Sequence, residues 1–253
     1  MLTRLRDLTL TEQSASGHDH LSAASGIVVL GTRFYIVGDD ECSLAVFSSE
    51  NDAPGRLVRL LPEVMPADAA MRKAAKPDFE VLLLLPAAQA PSTLLALGSG
   101  STANRRRGAL VGLTDGGEVR SVDVLDLSRL YTAIAAVVEE VNVEGAIARD
   151  DRLLVFNRGN AAHPDNAILA VDLARVLAGK PVEILAASTL RLPHVNGVPL
   201  CVTDACSLDD DTIVVAAVAE RHLRLVSRRR PRRGRARHPQ RRPRLRERTN
   251  SSP

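Results

Sequence analysis

The chain has 253 residues, 45% of them apolar, with no Trp, two Tyr and four Phe. That apolar share supports a packed core and excludes disorder throughout, while the scarcity of aromatics argues against a surface that stacks nucleic-acid bases. The net charge of +3 averages two unlike parts: residues 1–220 carry 19 basic and 29 acidic side chains, whereas 221–253 carry 14 arginines against the one acid Glu247.

Residues 1–24 read as a lead-in extension, and their opening, MLTRLRDLTLTEQ, lacks the apolar stretch of a secretory signal. The apolar run Val81 to Leu85 is too short to span a bilayer. Cys42, Cys201 and Cys206 have no zinc-like spacing. A soluble, reduced, cytoplasmic protein with no membrane partner is the expectation.

From Ser25 to Glu220 one strand-turn-strand unit recurs. The first copy is Ser25 to Phe47, the second Pro77 to Leu113, the third Asn142 to Leu173, and the fourth begins at Val202. Each opens on a short polar stretch (Ser25-Gly26, Asp78-Phe79-Glu80, Val143-Glu144-Gly145, Thr203-Asp204-Ala205). Each continues into an apolar strand: Phe34–Val37, Thr93–Leu97, Leu153–Phe156, Thr212–Val218. The steps from Gly26 to Glu80, Glu144 and Asp204 are 54, 64 and 60 residues. Blades of a propeller run about 40–50 residues, so the pattern predicts blades with long connections. Two connections read as helices. Residues 66–75 begin on Pro66 and stop before Pro77. Residues 128–141 place Leu130, Ile134, Val137, Val138 and Val141 on one face, with Ser128 as N-cap.

The pattern therefore predicts an all-β fold, a β-propeller of about four recognisable blades over 25–220 with the last incomplete. An intact ring is expected to hold five or more, since a stop in mid-blade leaves an unpaired edge. Residues 221–253 form a basic Arg/Pro-rich tail. Clustered arginine suits nucleic acid or another polyanion, so a nucleic-acid partner is expected only if this tail is genuine. With 30 Arg and three Lys overall, the abrupt change of composition is also what a GC-rich gene translated out of frame would produce.

The chain resembles an uncharacterised bacterial propeller family, similar in pattern to phytase-like and lactonase-like propellers. The likeness rests on Gly38-Asp39-Asp40, the run Arg72 to Glu80, Gly98-Ser99-Gly100-Ser101 with Asn104 to Gly108, Asn142-Val143-Glu144-Gly145, Arg158-Gly159-Asn160 and Ala217 to Glu220. It covers roughly residues 20–220, and it implies a further blade and no established activity.

Glu80, Glu144 and Asp204 recur at the openings of successive units. Innermost strands converge on a propeller's channel, so these carboxylates are candidate metal ligands, and an oxygen-only set suits Ca or Mg. The alternative is that each accepts backbone N–H bonds and locks a blade junction. Asp39, Asp40, Ser99, Arg158, Asn160 and Glu220 close the strands and are candidate ligand-binding residues, with Arg158 and Arg105–Arg107 able to clamp anionic groups. GSGSTANRRRG lacks the Gly-Lys-Ser/Thr ending of a phosphate loop, and no G-x-S-x-G elbow exists. Two functions follow: a non-catalytic scaffold binding a small ligand or protein partner at the channel rim, or a metal-assisted hydrolase of phosphoesters or lactones at the channel mouth.

Overall fold

The computed structural model describes residues 3–66, 68–87, 92–160, 162–209 and 211–220. The compact unit that holds them runs Met1–Arg221. The arginine-rich tail, and with it the nucleic-acid and out-of-frame readings, lies outside the described residues.

Four antiparallel sheets follow one another along the chain. The first blade is β1 (Ala24–Leu30), β2 (Arg33–Gly38), β3 (Ser43–Ser48) and β4 (Arg56–Arg59). Helix α1 (Ala69–Ala75) leads to the second, β5 (Phe79–Leu84), β6 (Thr93–Gly98), β7 (Arg107–Leu113) and β8 (Val119–Asp126). Helix α2 (Ser128–Ala135) precedes the third, β9 (Val143–Arg149), β10 (Arg152–Asn157), β11 (Asn166–Asp172) and β12 (Ile184–Leu190), with α3 (Leu173–Leu177) before its last strand. The fourth holds the two-residue β13 (His194–Val195), β14 (Val198–Ser207) and β15 (Ile213–Ala219). The chain is thus an all-β, four-bladed propeller-like arrangement with short helices, consistent with an incomplete propeller.

Cores lie between blades. Tyr35, Val37 and Leu44 of the first blade pack on Phe79, Leu82 and Leu94 of the second. Val81, Leu95 and Leu97 pack on Val143, Leu153 and Val155 of the third. Ile147 and Phe156 pack on Val202 and Ala205 of the fourth. A sheet covered on both faces reads as a continuous apolar run, not an alternating one, which explains Leu94-Leu95-Ala96-Leu97, every residue of it buried. Outer strands obey the other rule: β8 and β12 are exposed along most of their length.

The helices differ in detail from the sequence reading. In α1 the cap is Asp68, whose carboxylate accepts the Met71 N–H at 2.8 Å. In α2, Ser128 is the first helical residue and not the cap, because Asp126 accepts its N–H at 2.9 Å. That helix closes at Ala135, where the β-branched Val137-Val138 and the acids Glu139-Glu140 oppose continuation. Leu130, Tyr131 and Ile134 are its buried face.

One irregularity repeats in every blade. The pairing of the inner strand with its neighbour skips Ser25 in β1, Glu80 in β5, Glu144 in β9 and Thr203 in β14. Each skipped residue is a β-bulge, which leaves one residue unpaired and re-aims its side chain. Asp204 therefore does not occupy the position of Glu80 and Glu144; Thr203 does, and Asp204 pairs regularly with Ala216.

Candidate functional site

The bulge residues of the first three blades, Ser25, Glu80 and Glu144, each stand second in their inner strand and lie near one another. The Ser25 hydroxyl donates to the Ala23 carbonyl at 3.2 Å, and Glu144 is near enough to Glu80 to repel its charge. The strands that follow each inner strand end here as well, in Asp39 after β2, Ser99 after β6 and Arg158 after β10.

Asp78 anchors the first half of the site. It is buried and adopts a left-handed φ of 57°, a conformation that aspartate tolerates better than most residues. Its Oδ2 accepts the Ser99 hydroxyl at 2.6 Å and Arg105 Nη1 at 2.8 Å, and its Oδ1 pairs with Lys76 Nζ at 2.7 Å. Lys76 also pairs with Asp39. Burial alone would lower the Lys76 ammonium, but the bonds to Asp39 and Asp78 outweigh it and hold the group above its ordinary value. The Ser99 hydroxyl continues to Ser101 at 2.9 Å.

Asp39, Asp78 and Glu80 bring one carboxylate oxygen each within 4.8 Å of one another. Among the described residues no cation forms an ion pair with Glu80. Burial, then the charges of Glu144, Asp78 and Asp39, push its carboxyl up to about 8, so it holds a proton at neutral pH and can donate a hydrogen bond.

Glu144 anchors the second half. Asn142 Nδ2 donates to its Oε1 at 2.7 Å, and Arg158 Nη1 reaches the same oxygen at 3.4 Å. Arg158 also pairs with Glu220 at 2.9 Å, joining the third blade to the end of β15. Burial raises the Glu144 carboxyl, and Arg158 and Asn142 offset part of that rise. The guanidinium groups of Arg105 and Arg158 thus clamp the protein's own carboxylates.

Asp39 and Ser99 therefore belong to the set around Asp78, Glu144, Arg158 and Glu220 to a second set, and Glu80 lies close enough to feel the charges of both. The remaining three candidates lie elsewhere. Asp40 accepts the Ser22 hydroxyl at 3.1 Å, and its other oxygen is buried without a hydrogen bond. Asn160 belongs to a loop: its Oδ1 accepts the N–H groups of Ala162 and His163, and its Nδ2 bonds Glu140. Asp204 lines a cavity of about 210 Å³ together with Ile27, Leu83 and Ile147, so residues of all four inner strands meet there. Burial raises its carboxyl, and the Ala205 N–H at 2.7 Å offsets part of the rise. Glu80, Glu144 and Asp204 do not form a three-carboxylate group; among the described residues Asp39, Asp78 and Glu80 do.

Sequence reasoning passed over Lys76 and Asp78 as members of the site, and it named Arg105 only within the run Arg105–Arg107 as a clamp for anionic groups. Spacing alone does not bring them in, because Lys76 caps α1, Asp78 takes a left-handed φ and Glu80 stands in a bulge. Arg105 carried no spacing signal either, because a loop sets its approach to Asp78.

No helix among the described residues is long and apolar enough to cross a membrane. None of the curated proteins compared matches the chain. Among solved structures, the designed protein Ika8 is 9% identical at a TM-score of 0.35, covering 79% of this chain and 44% of its own. The designed protein Ika4 is 10% identical at 0.35, covering 85% and 93%. Hydrazine synthase of Kuenenia stuttgartiensis is 10% identical at 0.33, covering 66% and 49%. The chain thus spans less than half the length of the Ika8 chain. A family model matches residues 20–225 and supports the propeller arrangement without singling out phytase-like or lactonase-like proteins. The chain belongs to that family, the family of unknown function DUF6929.

Proposed function

We propose that this protein is a binding propeller without chemistry of its own, whose mouth takes a small polar ligand carrying a cationic group. The observation that carries this reading is the meeting of Asp39, Asp78 and Glu80 within 4.8 Å, with Lys76 neutralising the first two. Glu80 is left as the group open to a ligand. An arriving cation would favour its charged form, so binding would release its proton.

A second reading is a divalent-ion site, and with it a hydrolase of phosphoesters or lactones. An oxygen-only donor set favours it. Lys76 counts against it, since a metal would have to displace an ammonium already bonded to two of the three carboxylates. Asp39, Asp78 and Glu80 could hold such an ion only with Lys76 moved away from the first two.

Calorimetric titration with calcium, magnesium and a small primary amine, each in two buffers of different ionisation enthalpy, separates the readings. The binding reading expects the amine to bind with proton release, and Glu80→Gln to abolish that release. Saturable calcium or magnesium binding that survives Lys76→Met would favour the metal instead. Absence of binding by all three probes would remove both.

A further inference from the structure

We infer that the cavity between the N-terminal hairpin and the first blade is a second ligand site, built for a small zwitterion carrying an ammonium and a carboxylate. Residues 8–21 fold back on themselves: the Leu10 N–H donates to the Asp19 carbonyl and the Leu21 N–H to the Leu8 carbonyl, each at 2.8 Å. Leu10 and Leu21 are buried against Ile36, Ala45 and Phe47 of the first blade, and the Thr11 N–H reaches the Gly55 carbonyl at 2.8 Å. The hairpin is thus a fixed wall. A cavity of about 360 Å³ lies between residues 12–15 of this wall, the start of β3 and the end of β4. Its volume is within the range of small-molecule sites, about 300–1,000 Å³.

Two opposite charges line that cavity without pairing with each other. Glu41 is 2% exposed, and its Oε1 accepts the Ala15 N–H at 2.7 Å. Burial raises its carboxyl, and the Ala15 bond offsets part of the rise. Among the described residues no cation forms an ion pair with it. Arg59 donates through Nη1 to the Glu63 carbonyl at 2.8 Å, and among the described residues its other N–H groups are left open to a ligand. The neighbouring acids are engaged: Glu63 pairs with Arg107, and Glu12 accepts the Leu57 N–H. Burial pushes the Cys42 thiol up to about 11, so it stays neutral, and the charges of both Arg59 and Glu41 reach it. An amine alone would leave Arg59 unanswered, and a carboxylate alone would leave Glu41 so. A zwitterion meets both through charge-assisted hydrogen bonds, while Leu57, Cys42 and Met65 give its side chain an apolar lining.

Leucine tests this against its two halves, isopentylamine, which lacks the carboxylate, and isocaproate, which lacks the ammonium. Titration of the full chain, followed by amide exchange, is expected to show leucine slowing exchange at 12–15 and 41–43 while 76–80 stay unchanged. Each half should need at least about ten times the concentration to do the same. Arg59→Gln, a change at an exposed position, should weaken leucine at least about tenfold and leave any protection by isopentylamine as it was. Glu41→Gln should weaken both, with circular dichroism confirming that it folds. Absence of leucine binding overturns the inference. So does leucine binding that Arg59→Gln leaves unchanged, or that protects 76–80 in place of 12–15 and 41–43. Isopentylamine that protects 12–15 and 41–43 as well as leucine does at equal concentration overturns it too, since Arg59 would then have no part.

Discussion

Glu80 sits half-buried, within the fields of the Glu144, Asp78 and Asp39 carboxylates. Its folded value of about 8 lies above the ordinary 4.5, so between those values the native state holds a proton that the unfolded chain has lost. Stability is then full below about pH 4.5 and falls as pH rises toward 8. Glu144 is raised as well and acts with the same sign. Water at the mouth reduces the full linkage of about 1.4 kcal/mol per unit, which leaves about 2 kcal/mol for Glu80. Denaturant unfolding measured from acid to mildly alkaline pH should show this decline, and Glu80→Gln should flatten most of it. A variant with an unchanged pH profile would show that Glu80 is solvated like any surface acid.

The β-bulges make the elements into a site. An inner strand without its bulge would keep Glu80 and Glu144 in alternation with the core residues around them, and a regular ladder would not turn them toward the blade junction. The residue after the bulge in the third blade is Gly145, and a Cβ there would stand 2.8 Å from Ala205 N and 3.2 Å from Ala205 Cβ. The blades approach too closely for a methyl group. Gly145→Ala should cost about 2–3 kcal/mol, while Gly116→Ala, whose added carbon would meet nothing nearer than Thr114 Oγ1 at 3.9 Å, should change stability by less than about 0.5 kcal/mol. Thermal melts of the two variants side by side test this. Equal melting temperatures would mean that the joint yields.

Across the molecule the joints are unequal. The second and third blades share a large buried core reinforced by α2, whose Tyr131 hydroxyl donates to the Gly98 carbonyl. The third and fourth share a smaller one built on Ile147, Phe156, Val202 and Ala205, and β15 is only half-buried along its length. In repeat proteins stability is carried by such neighbour interfaces, so local opening should be easiest at the fourth blade. Hydrogen exchange at low protein concentration is expected to be fastest in β15 and slowest in β6 and β10. Uniform protection through all four blades would show instead that they unfold as one unit.

Residue order alone was enough for the blades, because burial on both faces forces strand runs such as Leu94 to Leu97 and turn residues separate them. It was enough for the acidic openings too, since a charged side chain next to an apolar strand is visible as a pattern. Register was not visible. A bulge is a property of two paired strands, and a repeat counted along one chain cannot distinguish Thr203 from Asp204, so Asp204 stood in a place that belongs to its neighbour. Nor could spacing bring Arg105 to Asp78 or Arg158 to Glu220, pairs separated by 27 and 62 residues. Local composition determined which strands form and which residues carry charge. The tertiary structure alone decided which charges meet, because ion pairs and carboxyl protonation depend on distances between blades that pairing and packing set.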